Sequence, residues 1–174
     1  MNDYVRSDLK RYYGKTDLLT FLKGYLLNRT FRFQYAFRMC QTKGLSKYWG
    51  LLLWRLNRTK KTIQIPRNTK IGYGLYIGHG GPVVVHPTTV IGNNCNLSQF
   101  VTIGSNEEQA AKIGNNVYIG PSVCIVEDVK IGNNVTIGAG SVVTKDIPDN
   151  ATAVGNYAKV IGYKDPGRYI KNKW

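Results

Sequence analysis

The chain has 174 residues, a length that suits one domain, or one domain with an appendage. Its 24 Lys and Arg outnumber its 10 Asp and Glu, giving a formal charge of +14. Three cysteines, an odd number with no CxxC spacing, argue against a disulfide framework and against a cysteine-built zinc site. No stretch reaches the ~18 apolar residues of a membrane-spanning helix, and the run Gly50–Trp54 is short and followed by Arg55. Charged residues interrupt the first part of the chain, so no signal peptide is read and a cytoplasmic location is expected.

The charge is uneven. Residues 1–62 hold fourteen Lys or Arg and three Asp, a net +11, whereas residues 63–174 carry only +3. This first segment reads as helices. Ser7 or Asp8 is expected to cap a helix that runs through Tyr13 and stops at Gly14. Thr16 is expected to cap a second helix, to about Leu26, and residues 30–57 to form one or two more. Two uses of this basic, aromatic-rich segment stay open. It can cap the rest of the chain and pack on other subunits, or it can lie peripherally on an anionic membrane at the inner face. No nucleic-acid partner is expected, because no recognition motif accompanies the charge.

From Ile65 to about Asp149 an apolar residue returns every six positions. The unbroken run is Ile113, Ile119, Ile125, Ile131, Ile137 and Val143; earlier runs are Ile91, Leu97, Ile103 and Ile65, Ile71, Ile77, Val83. Neither a helix nor simple strand alternation has this period, whereas a hexapeptide repeat marks a β-helix. Three hexads close a triangular coil, and coils stack at ~4.8 Å. Ile113-Gly-Asn-Asn-Val117 returns eighteen residues later as Ile131-Gly-Asn-Asn-Val135, which stacks Gly-Asn-Asn turns at one corner. The earlier spacings exceed eighteen by two and by four. The four extra residues are placed within Ser105–Lys112 and the two within Val84–Val90. Such insertions commonly form the binding face of a repeat scaffold.

The chemistry-bearing residues are few. The two histidines, His79 and His86, both lie in Ile77-Gly-His-Gly-Gly-Pro-Val-Val-Val-His-Pro87. A neutral imidazole is the natural general base near pH 7. Glycines flank His79 and permit close approach of a ligand, while His86 precedes a proline and lacks that setting. Glu107 and Glu108 lie in the larger insertion, where they can touch a substrate or orient a histidine of a neighbouring subunit. Two histidines seven apart do not supply a three-histidine zinc site, so no metal is expected. No G-x-S-x-G nucleophile elbow is present.

Four segments carry a family resemblance: Lys70-Ile-Gly-Tyr-Gly-Leu-Tyr-Ile-Gly-His79, Gln99-Phe-Val-Thr-Ile-Gly104, Ile137-Gly-Ala-Gly-Ser-Val-Val143 and Val154-Gly-Asn-Tyr-Ala-Lys-Val-Ile-Gly162. Through them residues 64–162 resemble the hexapeptide-repeat acetyltransferases, most closely the serine acetyltransferase-like branch. Asp8-Leu-Lys-Arg-Tyr12 is similar to the start of related proteins encoded with bacterial surface-polysaccharide genes. The resemblance implies a mainly β fold, a left-handed parallel β-helix behind an N-terminal α-helical segment. The division that follows is 1–62 helical, 63–162 acyltransferase and 163–174 a tail. It also implies a homotrimer with acetyl-CoA in the groove between adjacent prisms, His79 as catalytic base, and Gly138, Ala139, Gly140, Ala158 and Lys159 along the coenzyme. Arg168 is a weaker addition, supported by no motif.

The chain also departs from the serine enzymes. Where they place one aspartate upstream of the catalytic histidine and another immediately before it, this chain has Gln64 and Gly78. Their second active-site histidine has no counterpart in Ser105–Lys112, Tyr157 replaces a proline, and the last residue is Trp174 rather than isoleucine. Missing carboxylates disfavour an acceptor with an ammonium group. A sugar hydroxyl in surface-polysaccharide synthesis is therefore the expected acceptor, bound by Gln64, His86 and Glu107. L-serine is the alternative acceptor, and a non-catalytic β-helix scaffold is the alternative class.

Overall fold

The computed structural model describes residues 1–58 and 62–174. Lys60 and Lys61 of the basic segment lie outside the described residues. Four helices come first: α1 (Asp3–Tyr13), α2 (Leu18–Leu27), α3 (Arg29–Cys40) and α4 (Leu45–Arg58). A parallel β-helix of about five turns follows.

Among the described residues the strands form three sheets, one per face of the prism. The first stacks Ile63–Gln64, Val83–Val85, Val101–Gly104, Cys124–Val126 and Val142–Val143. The second stacks Lys70–Ile71, Val90–Ile91, Lys112–Ile113 and Lys130–Ile131. The third stacks Tyr76–Ile77, Asn96–Leu97, Tyr118–Ile119, Thr136–Ile137 and Thr152–Val154. Lys159–Gly162 closes the third sheet as an antiparallel strand, which the repeat does not foretell. The hexad positions fill the interior: Ile77, Leu97, Ile119 and Ile137 form one buried column, and the small fifth positions Cys95, Val117, Val135 and Ser141 are buried beside them. Each Ile or Leu so buried contributes roughly 1.5–3 kcal/mol relative to an exposed one.

The corner between the second and third sheets is the expected asparagine stack. Asn94, Asn116 and Asn134 have φ near +55°, and Asn150 closes the column at +65°. The Asn93, Asn115 and Asn133 amides each donate to the side chain one coil on, those of Asn115, Asn133 and Asp149.

Strand register relocates one insertion. Ile77 pairs with Leu97, a step of 20, whereas Val83 pairs with Val101, a step of 18. The two extra residues therefore lie in Gly78–Pro82, around His79, and not within Val84–Val90. Val83 is apolar and falls six residues after Ile77, so it mimics the next hexad; its backbone pairing shows that it takes the fifth position instead. The four-residue insertion falls where the sequence put it: Ile103 pairs with Ile125, while Val90–Ile91 pair with Lys112–Ile113.

The first coil leaves an unpaired strand edge, and α1 and α3 satisfy it with side chains. Ser7 Oγ accepts from Gly74 N (2.9 Å), and Asp8 Oδ1 accepts from Leu75 N (2.8 Å). Arg38 donates to the carbonyls of Ile71 (2.8 Å) and Gly72 (2.7 Å), and Gln34 donates to that of Leu75 (2.8 Å). Tyr12 Oη bridges Ile77 O and Ile77 N. A fully buried ion pair sits at the centre, with Arg38 Nε 2.8 Å and Nη2 3.0 Å from the two Asp8 oxygens. Burial is the largest influence and leaves the Asp8 carboxyl raised, opposed in part by Arg38 and the Leu75 amide.

Two sequence expectations change here. Ser7 and Asp8 are not caps: Asn2 caps α1, and the Ser7 and Asp8 side chains are committed to the β-helix edge; Asp17, not Thr16, caps α2, accepting from Thr20 N. Arg11 and Arg38, cations that the membrane reading enlists, are buried in packing. Among the described residues no helix is long and apolar enough to cross a membrane. Outward leucines remain on α2, among them Leu18, Leu19 and Leu27.

Asp8→Ala strands Arg38 in the interior and is expected to cost about 3–5 kcal/mol in chemical denaturation. Asp8→Leu combined with Arg38→Met is expected to stay destabilised, because Leu75 N and the Ile71 and Gly72 carbonyls lose their partners. Native stability in the double variant would contradict the edge role.

Candidate active site

The edge between the third and first sheets collects the turns that follow the third-sheet strands. From coil to coil these are Gly78–Pro82, Ser98–Phe100, Gly120–Ser122 and Gly138–Gly140. They are linked by Phe100 N to Pro82 O, Ser122 N to Gln99 O (3.0 Å) and Gly140 N to Pro121 O (2.8 Å). Each turn holds a left-handed residue: His79 and Gly80 at φ +60°, Phe100 at +62°, Ser122 at +57° and Gly140 at +68°. His79 and Gly138–Gly140 therefore share one edge, three coil steps or ~14 Å apart at the inter-strand spacing.

His79 is exposed at the tip of the two-residue insertion. Gly80 and Gly81 let this loop form. A Cβ on Gly80 would stand 2.9 Å from Thr30 Oγ1 of α3, and one on Gly81 would stand 2.5 Å from Gln99 Cβ. The helical segment thus reaches the His79 loop through Thr30.

The closing segment joins the same edge. Ser141 Oγ donates to Gly138 O (2.7 Å) and accepts from Gly155 N (3.1 Å). Ala158 N donates to Val142 O (2.8 Å). Ala158 packs against the core, and Lys159 is exposed beside Val154. The histidine and the five residues assigned to the coenzyme thus fall along one side of the prism. Arg168 instead lies in the tail, where it stacks on Tyr169 and faces Asp165.

The three acceptor candidates do not meet His79 within one chain. Gln64 lies on the outer face of the first sheet, paired with Val84. His86 and Glu107 lie at the opposite edge of that sheet, where the larger insertion leaves the prism. There Ala110 N donates to Thr88 Oγ1 (3.0 Å), which is 3.0 Å from His86 Nδ1, and Thr88 N also points at Nδ1 (3.4 Å). Thr88 N–H can only donate, so Nδ1 is the acceptor at that contact.

Glu107 is exposed, and its amide donates to Ser105 Oγ (2.9 Å). The acid that organises this loop is Glu127, which accepts from Ser105 Oγ (2.6 Å) and Asn106 N (3.4 Å). The Ser105 hydroxyl bond, aided by the loop amides and by His86, holds the Glu127 carboxyl below the usual glutamate range.

Sequence reasoning missed Glu127, Thr88, Thr30 and Phe100. Phe100 has a readable signal: it is a large exposed aromatic on the His79 edge, at a corner where later coils place Ser122 and Gly140. Glu127 has none, since Ser105 lies 22 residues away, and the Thr88 bond to Ala110 spans the same distance. Cys95 is core, as its hexad position predicts, with its thiol pushed up to about 12 by burial. Among the described residues no group of three metal-ligating side chains is assembled.

These features define a hexapeptide-repeat β-helix, and comparison with known proteins agrees. The family model "Bacterial transferase hexapeptide (six repeats)" matches residues 110–145. Serine acetyltransferase 3, mitochondrial, of Arabidopsis thaliana is 44% identical over 100 residues, 55% of this chain and 26% of that protein. This chain thus spans about a quarter of that relative. Among solved structures, Neisseria gonorrhoeae serine acetyltransferase in complex with serine is 30% identical, with TM-score 0.74 over 90% of this chain and 67% of that one. Brucella abortus serine acetyltransferase in complex with coenzyme A is 26% identical, with TM-score 0.72 over 92% and 67%. The chain belongs to the hexapeptide-repeat acetyltransferase family, in its serine acetyltransferase-like branch.

Ser105→Ala is expected to move the Glu127 titration, followed by carboxyl-carbon NMR, up toward the ordinary glutamate value. An unchanged titration would contradict the assigned bond. In the native chain the tether is present at neutral pH and is lost as pH falls through the depressed Glu127 pKa.

Proposed function

We propose that this protein is an acetyl-CoA-dependent O-acetyltransferase with His79 as general base. The observation that carries the reading is the place of His79. It stands exposed in the only two-residue insertion among the described third-to-first-sheet turns, on the edge that also carries Gly138–Gly140, Ala158 and Lys159.

In this reading acetyl-CoA lies along that edge, in the groove between neighbouring prisms of a homotrimer. Gly138, Ala139 and Gly140 leave room for the pantetheine arm, and the Lys159 ammonium suits a coenzyme phosphate. His79 takes the proton from the acceptor hydroxyl, and the oxygen attacks the thioester carbonyl. The tetrahedral intermediate collapses with loss of the CoA thiolate, and the proton passes from the imidazolium to the leaving sulfur. A backbone N–H of the glycine-rich loop supplies the oxyanion donor.

L-serine is the first acceptor to assign, because the relatives bear that activity in their names. They give the surface-polysaccharide setting no support. A sugar hydroxyl is the second reading, and one observation favours it: Gln64 and Gly78 stand where the serine enzymes carry aspartates, so a serine ammonium lacks its counter-charges here.

The test is release of free thiol from acetyl-CoA with L-serine, nucleotide sugars and oligosaccharides as acceptors. His79→Ala is expected to lower the rate about 10²–10⁴-fold, with the circular dichroism of the folded chain unchanged. Undiminished turnover in that variant would contradict the role of His79. Coenzyme binding with no thiol release from any acceptor would instead indicate a non-catalytic scaffold.

A further inference from the structure

We infer that Phe100 bounds the acyl site and sets the length of acyl chain that the protein accepts, holding it to two carbons. The ring stands on the edge that carries His79 and Gly138–Gly140. Its turn follows the strand Asn96–Leu97, which pairs directly with Tyr76–Ile77, the strand that leads into the His79 turn. The Phe100 amide donates to Pro82 O, so the two turns are fastened together. One coil step of ~4.8 Å separates them.

The conformation of Phe100 is strained, and packing within the chain gives no reason for it. Its φ is +62°. Left-handed backbone suits glycine and asparagine, and a bulky aromatic there is an outlier. The next two coils fill the same place with Ser122 and Gly140. The ring is 57% exposed. Among the described residues it stacks on no other aromatic ring. Such strain is retained where a side chain meets a ligand.

The order of residues along the edge says which part of a ligand arrives there. His79 occupies the first coil, Phe100 the second, Ser122 the third and Gly138–Gly140 the fourth. A coenzyme arm that passes Gly138–Gly140 and ends at His79 crosses the Ser122 and Phe100 corners in turn. Its thioester end comes to rest beside the ring. The later corners leave the arm room, since a Cβ added at Gly140 meets nothing within 4 Å. Phe100 is large by comparison, and it narrows the groove where the acyl carbons lie. An acetyl methyl fits against the ring, and each further methylene collides with it.

The assignment rests on the acetyltransferase reading and deepens it on the side of the acyl donor. The variant is Phe100→Ser, which installs the residue that Ser122 already places in the same backbone conformation one coil on. Acetyl-, propionyl- and butyryl-CoA are compared in the thiol-release assay on the full chain. In the native chain each added methylene is expected to lower kcat/KM about tenfold or more. In Phe100→Ser the butyryl-to-acetyl ratio is expected to rise about tenfold or more, with the acceptor KM unchanged. Phe100→Leu should keep most of the native selectivity. Acetyl transfer with the same ratio in the native chain and Phe100→Ser would overturn the inference and leave the acetyltransferase reading standing. A native chain that uses butyryl-CoA as readily as acetyl-CoA would do the same. So would an equal loss for all three thioesters with a smaller assembly in sedimentation, which makes the ring a subunit contact.

A second measurement needs no turnover. Dissociation constants of acetyl-CoA and butyryl-CoA are taken by calorimetry for the native chain and for Phe100→Ser. The native chain is expected to bind acetyl-CoA more tightly than butyryl-CoA, and the variant to lose that preference. This result supports the acyl site even if no thiol is released; in that case the acetyltransferase reading is what fails. Without thiol release, equal dissociation constants in the native chain, or no binding of either thioester, would overturn the inference.

Discussion

The stacking of one coil on the next is the constraint on which this molecule depends. Each coil donates backbone N–H groups to the following coil in fixed parallel register, from Gly72 to Ile91 O through Gly92 to Ile113 O and Gly114 to Ile131 O. A slip of one residue would turn every inward side chain outward. Extra residues therefore cannot be absorbed within a strand and must leave at a corner. The chain has two such departures, and each builds a distinct chemical feature. Two residues at one edge of the first sheet lift His79 out of the prism. Four at the other edge form a loop tied by Ser105, Glu127 and the Thr88–His86 pair.

A stack also has ends, and both are closed. At the start, the Arg38–Asp8 pair and its neighbours supply side-chain partners for the open edge of the first coil. The desolvation of two charges is offset by the backbone groups they satisfy as well as by their mutual attraction. At the far end, Lys159–Gly162 turns back antiparallel, and the tail returns along the prism. Gly167 N donates to Asn134 O, the Tyr169 ring lies against Tyr118, and Trp174 N donates to Asn94 Oδ1. Lys171 O accepts from Arg11 of α1, so the last residues are fastened to the first helix. The helical segment is thus part of the scaffold that holds the His79 loop, through Thr30 as well as through the edge.

Much of this was legible in the sequence because it is local. The period of six gives the coil, and Gly-Asn-Asn gives the left-handed corner, since both depend on what a few adjacent residues tolerate. The loop of four extra residues was legible too, because Ser105–Lys112 breaks the pattern visibly. The two-residue insertion was miscounted because Val83 imitates a hexad residue, and only its pairing with Val101 resolves the register. Ser7 and Asp8 look like caps, yet their partners are 67 residues away. The exposed place of His79 was legible from its glycines, and the comparisons agree with the family while leaving the role of His79 and the acceptor to experiment.

The central claim is that a departure from the eighteen-residue coil, and not the coil itself, makes the site. Excising Gly81 and Pro82 restores eighteen residues between Ile71 and the second-sheet position of the next coil, leaves Gly80 at the left-handed place that Phe100, Ser122 and Gly140 hold in later coils, and spares every strand. The measurement is acetyl-CoA thiol release by this variant, alongside its thermal unfolding. The account predicts a β-helix that unfolds as cooperatively as the native chain and has lost turnover. Native turnover in a chain whose His79 turn has been shortened to the regular repeat would contradict it.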